Sequence, residues 1–278
     1  AGVTIGMLMA TFIVSLMTLF SEEDFLSWGW RIPFLLSSVL VILGLWIRKD
    51  IDETPDFQKV KKSGQVAKAP LRDTIKHHWR EVLIAAGLKV VETAPFYIFS
   101  TFVVSYATTT LTYQKSQALE AVTLGALVAT IMIPLMGLLS DKIGRQRMYA
   151  VSVLVLGLFI VPWFMLLNTG TTWGIVLATV IAFGVLWAPV TAVLGTLCSE
   201  IFSANVRYTG ITLGYQLGAA LAGGTAPLIA TGLLAKYDGD WVPVAWYLAV
   251  TVVISLIAIF CASRVKPTPS VQAQPDHI

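Results

Sequence analysis

Charged residues on this chain are clustered, and between the clusters lie eight runs of almost unbroken apolar character, at 1–20, 32–47, 82–106, 121–139, 148–167, 173–197, 209–235 and 241–262. Most are close to the ~20 residues an α-helix needs to cross the hydrocarbon layer of a bilayer, so the pattern predicts eight transmembrane helices. The second run is the shortest. Trp28, Trp30 and Trp46 near its ends suit the membrane–water interface, as do Trp79, Trp173 and Trp241 at other run ends.

Composition agrees with the pattern. Hydrophobic residues make up 56% of the 278 and charged ones 13%, with a mean hydropathy of +0.77, against about 25% charged in a soluble domain. The expected fold class is an all-α integral membrane protein. Lys and Arg are unevenly shared between alternate loops: fifteen of the nineteen lie at 48–80, 140–147, 198–208 and beyond 263, whereas the opposite loops hold Arg31, Lys115 and Lys236. The positive-inside rule then predicts a multi-pass protein of the cytoplasmic membrane with both ends of this chain in the cytoplasm. The acidic turn at 21–24 falls outside, either as a solvated turn or as a cation funnel.

Several chemistries find no support in the spacing. Cys198 and Cys261 are far apart, and His77, His78 and His277 have no ligand-like partners, so neither a disulfide framework nor a metal site is expected. There is no nucleotide-binding glycine loop for an ATP-driven pump and no histidine in any span to serve an intramembrane enzyme. No cofactor and no nucleic acid are implied. The one long polar stretch, 48–81, suits a partly helical cytoplasmic linker. It divides the chain into two spans (1–47), six spans (82–263) and a cytoplasmic tail (264–278). The chain opens on Ala1 inside an apolar run with no basic leader. It therefore reads as a chain missing its beginning, and two helices, a long basic loop and six helices are what a twelve-helix transporter would look like with its first four helices as absent partners.

The third span carries Lys89 and Glu92, the two charged side chains set well inside an apolar run. A charge at the bilayer centre costs roughly 2.5–3.5 kcal/mol on insertion scales, so such residues generally serve a pathway. At about 100° per residue, Lys89, Glu92, Thr93, Phe96 and Ser100 share one sector of the helix, opposite Val91, Ala94, Ile98 and Phe102. This predicts one wet face. The alternative is a structural pair at i, i+3, each charge neutralising the other. Pro95 removes a backbone hydrogen bond beside the charges and can kink the helix.

The run from Gly137 to Arg147, GLLSDKIGRQR, resembles the G-x-x-x-D-[RK]-x-G-R-[RK] loop of the major facilitator superfamily, with Gln146 where a basic residue is usual. Trp28–Leu36 (WGWRIPFLL), Glu53-Thr54-Pro55, Ser199-Glu200-Ile201-Phe202, Val206–Gly210 and Leu213–Gln216 narrow the likeness to the metabolite:proton symporters, the subfamily of shikimate, 2-oxoglutarate and proline/betaine carriers. The resemblance covers essentially the whole chain. It implies proton symport of a small organic acid or osmolyte, driven by the proton gradient. Lys89 would then hold a substrate carboxylate and Glu92 would take and release the proton.

The remaining candidates each carry two readings. Asp141 can accept hydrogen bonds from amides opening another helix, while Lys142, Arg145 and Arg147 bridge carboxylates or headgroups, making a latch; or the basic residues only anchor topology. Gly137 and Gly144 would allow close approach and a tight turn. Glu200 and Arg207 offer a gate salt bridge or a plain anchor. Gly210, Gly214 and Gly218 recur every four residues, the small-residue pattern of close helix packing. Gln216 suits either a ligand contact or an interhelical hydrogen bond, and Trp187 either substrate stacking or core packing. The competing view of the whole chain is a non-transporting fragment that acts only through interaction with other proteins.

Overall fold

The computed structural model describes residues 2–17, 24–49, 70–203 and 206–264. Among these every regular element is helical. The helices are α1 (Gly2–Met17), α2 (Arg31–Lys49, after a π turn at Phe25–Gly29), α3 (Pro70–His77), α4 (Trp79–Thr109), α5 (Lys115–Ile143), α6 (Arg145–Leu167), α7 (Thr172–Ile201), α8 (Arg207–Ala222), α9 (Ala226–Lys236) and α10 (Val242–Ala262). Glu22 and Glu23 of the acidic turn, most of the expected linker (50–69) and the tail beyond Arg264 lie outside the described residues.

Seven helical stretches are long and apolar enough to cross a membrane: Ser27–Ile47, Trp79–Thr109, Lys115–Ile143, Arg145–Leu167, Thr172–Ile201, Arg207–Lys236 and Val242–Ala262. The first expected span appears as the 16-residue α1, since residues 1 and 18–20 are not among those described. Several helices outrun the apolar segments that announced them. Charges end a hydrophobic run but not a helix, so α4 begins at Trp79 with Arg80 and Glu81 in its first turn, and α5 continues through Asp141 and Lys142.

Two spans are not uniform. In α4, Pro95 is followed by a π turn at Ile98–Phe102; in α7, a π turn at Val180–Leu186 precedes Trp187 and Pro189. A proline supplies no amide and crowds the carbonyl four residues earlier; in α7 that carbonyl, of Val185, lies within the widened turn, which accommodates the misfit. The sixth long stretch, Arg207–Lys236, breaks at Gly223-Gly224-Thr225 into α8 and α9.

α4 is the centre of the bundle. It packs against α8, α10 and α7, while α5 packs against the π turn of α7 and α6 against α7 and α10. Its inward side chains Ala85, Leu88, Val91, Ala94 and Ile98 have no solvent exposure. The outside is as apolar as the inside: Leu138, Leu158, Leu228 and Trp246 are all more than two-thirds exposed. Such a surface is stable only against lipid, because in water it would be a contiguous sticky patch. α1 lies on α5, and α2 touches mainly α1 and its own π turn, with its apolar residues from Phe34 to Trp46 largely exposed.

The end of the bundle beyond Thr109 is stitched by loops. The Tyr113 hydroxyl reaches the carbonyls of Leu167 (2.9 Å) and Thr171 (3.2 Å), Gln117 donates to Thr172 (2.8 Å), and Asn168 donates to the Tyr106 hydroxyl (3.1 Å). Burial pushes the Tyr113 phenol above its ordinary range, so it remains a donor throughout the physiological pH range.

Candidate functional site

The acid–base pair inside α4 is formed. Lys89 Nζ donates to Glu92 Oε2, with the side chains only 17% and 12% exposed. The second carboxylate oxygen is also engaged: Thr191 of α7 donates to Glu92 Oε1 at 2.6 Å. The Thr93 hydroxyl lies 3.1 Å from Oε2 and 2.9 Å from the Lys89 carbonyl. A carboxylate in a low-dielectric layer is costly unless both oxygens find donors, and here both do. Lys89 has a second neighbour, the ring of Tyr215 on α8, with Nζ 4.9 Å from the centroid.

The backbone beneath the pair is held from three directions. Trp187 of α7 donates its indole N–H to the Glu92 carbonyl (2.7 Å), and Tyr149 of α6 donates to the Leu88 carbonyl (2.5 Å). Ser255 of α10 donates to the Gly87 carbonyl (2.6 Å) and accepts from the Val91 N–H (3.2 Å), inserting its hydroxyl between two groups that an unbroken helical turn pairs with each other. Phe96 completes the cluster against Trp187 and Phe183.

Glycines set how near α8 comes. A Cβ on Gly214 would lie 2.5 Å from Ala85 Cβ, and one on Gly218 would lie 2.7 Å from Lys89 Cβ and 2.5 Å from the Ala86 carbonyl. Gly210 faces the ring of Phe202 in the same way. The lysine stem thus runs over a bare backbone, and any side chain at Gly218 would displace it.

The expected wet face is more closed than its polarity suggested. Thr93 and Ser100 are buried, and Ser100 donates to its own helix at the Phe96 carbonyl (2.6 Å) rather than to the pair. Hydroxyls from α4 and α7, with Lys89, surround the Glu92 carboxylate. Gln216 is exposed and takes no part in the Glu92 network. Trp187 is buried, with its indole spent on the Glu92 backbone. Thr191, Tyr215, Tyr149 and Ser255 belong to the site, although the apolar pattern marked none of them. A hydroxyl near Pro189 and a tyrosine between Gly214 and Gly218 were the available signals.

At the other end of the bundle the resemblance motif has a different geometry from a loop. Asp141 and Lys142 occupy the last turn of α5, Arg145 opens α6, and Gly144 alone makes the reversal at φ 96°, ψ 130°. Arg145 bridges Asp141 (3.2 Å) and Glu200 at the end of α7. Asp141 therefore pairs with a guanidinium rather than capping another helix. Arg207 donates to the Phe202 carbonyl at 3.4 Å, so the partner of Glu200 is Arg145. Among the described residues nothing lies within 4 Å of a would-be Cβ at Gly137, so no close approach is made there by them. Lys142 and Arg147 are exposed. An open cleft of about 480 Å³ lies over this motif, lined by Asp141, Gly144, Arg145, Arg147 and Glu200 among others, and not beside Glu92.

Gly144→Val is expected to lower thermal stability in detergent by about 1–3 kcal/mol, because a β-branched residue is strained at positive φ. Asp141→Asn, at an exposed ion pair, is expected to cost under about 1 kcal/mol. Equal losses would show that the ion pair, not the turn, holds this corner.

A bundle of membrane-crossing helices with a hydrogen-bonded acid–base pair in its apolar layer defines a multi-pass membrane protein with an internal polar site. The chain matches the Major Facilitator Superfamily over residues 1–223 and 90–277, and it belongs to that family of transporters. It is similar to the shikimate transporter of Escherichia coli (32% identical over 257 residues, 91% of this chain and 59% of that protein). It is also similar to a glycine betaine/proline/ectoine/pipecolic acid transporter of Dickeya dadantii (30% over 266 residues, 92% and 52%). A third relative is the proline/betaine transporter of Salmonella typhimurium (31% over 266 residues, 92% and 52%). The chain thus spans a little over half the length of these curated relatives. No solved structure matches it.

Proposed function

We propose that this chain is part of a secondary active transporter of the cytoplasmic membrane, coupling proton movement to symport of a small organic acid or osmolyte. In this reading 1–47 belongs to one bundle and 82–263 forms the other, with 48–81 as the cytoplasmic linker between them. Four further helices complete the transporting unit, both ends of this chain lie in the cytoplasm, and the proton gradient is the energy source in place of any bound cofactor. The observation that carries the reading is the Lys89–Glu92 pair, an ammonium and a carboxylate kept inside an apolar span with hydroxyl donors on the acid. Glu92 takes up the coupling proton, which frees Lys89 to hold a substrate carboxylate; release of the proton restores the pair and expels the substrate. The named cargoes of the relatives, shikimate and the proline/betaine group, support a carboxylate-bearing substrate.

The test is uptake into proteoliposomes by the twelve-helix protein, with labelled shikimate, a dicarboxylate, proline and glycine betaine, under an imposed inward proton gradient. Accumulation of one class above its external concentration, abolished by an ionophore that collapses the gradient, is the expected result. Counterflow with no response to the gradient would remove proton coupling. Absence of counterflow for the whole panel would remove transport of this substrate class.

A further inference from the structure

We propose that Tyr215 is the second seat of the Lys89 ammonium: its hydroxyl and ring receive the lysine when Glu92 becomes neutral. The inference rests on the proton-carrying role proposed above for Glu92. Three observations lead to it. Lys89 already stands over the Tyr215 ring while bonded to Glu92. The Tyr215 hydroxyl is buried with only the weakly hydrogen-bonding Cys198 thiol beside it, and its oxygen accepts from no donor among the described residues. A buried phenol oxygen that accepts no hydrogen bond is poorly satisfied, so a neighbouring arrangement in which it does accept one lies close in energy. Finally, Gly218 presents backbone and no side chain to the lysine stem, and at Gly195 a Cβ would stand in ordinary contact with the hydroxyl at 3.9 Å, so the bare glycine leaves the hydroxyl uncovered on that side.

The other groups facing the pair do not offer the same seat. From α6 comes Tyr149, whose hydroxyl is committed to the Leu88 carbonyl. From α7 come Cys198, a fully buried thiol and weak acceptor, Thr191, spent on Glu92, and Trp187, a donor only. From α10 comes Ser255, engaged on both sides with the α4 backbone. Lys89 and Glu92 are the charged groups of this cluster. When Glu92 takes a proton and before a substrate carboxylate arrives, the ammonium has no counter-charge in a medium where isolated charge is unfavourable, and a phenol oxygen with a free lone pair beside an aromatic face is the remaining partner.

Removing that partner penalises the neutral form of Glu92 more than the ionised form, because only in the neutral state does Lys89 depend on Tyr215. Glu92 should then hold its proton less well, and its titration should move to lower pH. The experiment is an infrared pH titration of the purified protein in lipid, following the carboxylic acid C=O band that Glu92→Gln eliminates. Tyr215→Phe, which deletes one atom from the side chain, is expected to lower the midpoint by about one pH unit, the scale of one hydrogen bond to a charged group. In a Lys89→Met background the same substitution should leave the midpoint in place. An unchanged midpoint in Tyr215→Phe alone, or an equal shift without the lysine, overturns the role of Tyr215 while leaving Glu92 as proton carrier. A wild-type protein with no titrating band at Glu92 instead removes the coupling reading, and the second seat with it.

Discussion

Gly214→Leu is expected to leave almost no correctly folded protein in the membrane. A Cβ at this position would stand 2.5 Å from Ala85 Cβ, 3.1 Å from the Val82 carbonyl and 3.3 Å from the Ala86 amide, so the obstacle is largely main chain and cannot rotate aside. Overpacking a well-filled core commonly costs 1–3 kcal/mol. Here the cost rises above that range, because relief requires separating α8 from α4 over the whole stretch from Gly214 to Gly218. Helices in a bilayer hold together through this close packing, with no hydrophobic force to substitute for it. Thermal unfolding monitored by size-exclusion of a fluorescent fusion would register the loss. Gly232→Ala is the matched control: nothing lies within 4 Å of its Cβ, and the change should be neutral or stabilising by up to about 1 kcal/mol through helix propensity. A Gly214→Leu protein as stable as Gly232→Ala would mean that the two helices do not touch as described.

The second large effect is expected at Glu92. Glu92→Gln should abolish accumulation against a gradient while substrate exchange between compartments persists at least in part. The amide keeps the size of the acid and can still accept from Thr191 or Lys89, but it carries no proton and no charge. Lys89 is then left without a counter-ion, and breaking a buried pair from one side typically costs about 3–5 kcal/mol, so some loss of stability should accompany the functional change. Exchange is the internal check, since a merely unfolded protein would lose both activities. Uptake driven by an imposed proton gradient, beside counterflow at matched protein levels, separates the two. Normal gradient-driven accumulation would return Lys89 and Glu92 to a structural pairing.

The parts of this structure that were legible in sequence are those written in hydropathy. A bilayer imposes a single length and a single polarity on each crossing element, so the helix series and its fold class could be read from where charges stop. Lys89 and Glu92 stood out for the same reason, being charges where none is cheap. Thr191, Tyr215 and Ser255 did not, because a lone hydroxyl inside a span is ordinary and becomes part of a site only through neighbours on other helices. The partner of Glu200 was hidden likewise. Arg207 lay nearer in sequence, yet Gly144 turns the chain so sharply that Arg145 reaches the end of α7 first. Gly137 looked like a contact point by motif, yet no described residue approaches it, since spacing along one helix says nothing about which faces meet another.

The carbonyl oxygens of Gly87, Leu88 and Glu92 are anchored to Ser255, Tyr149 and Trp187, on α10, α6 and α7 respectively. Mechanically, the turn bearing the charges is a platform slung from three independent supports, with a wedge in its ladder at one end and Pro95 with a widened coil at the other. Its height and tilt follow where these three helices and the glycine face of α8 stand, so a displacement of any one of them would carry the ammonium and the carboxylate with it.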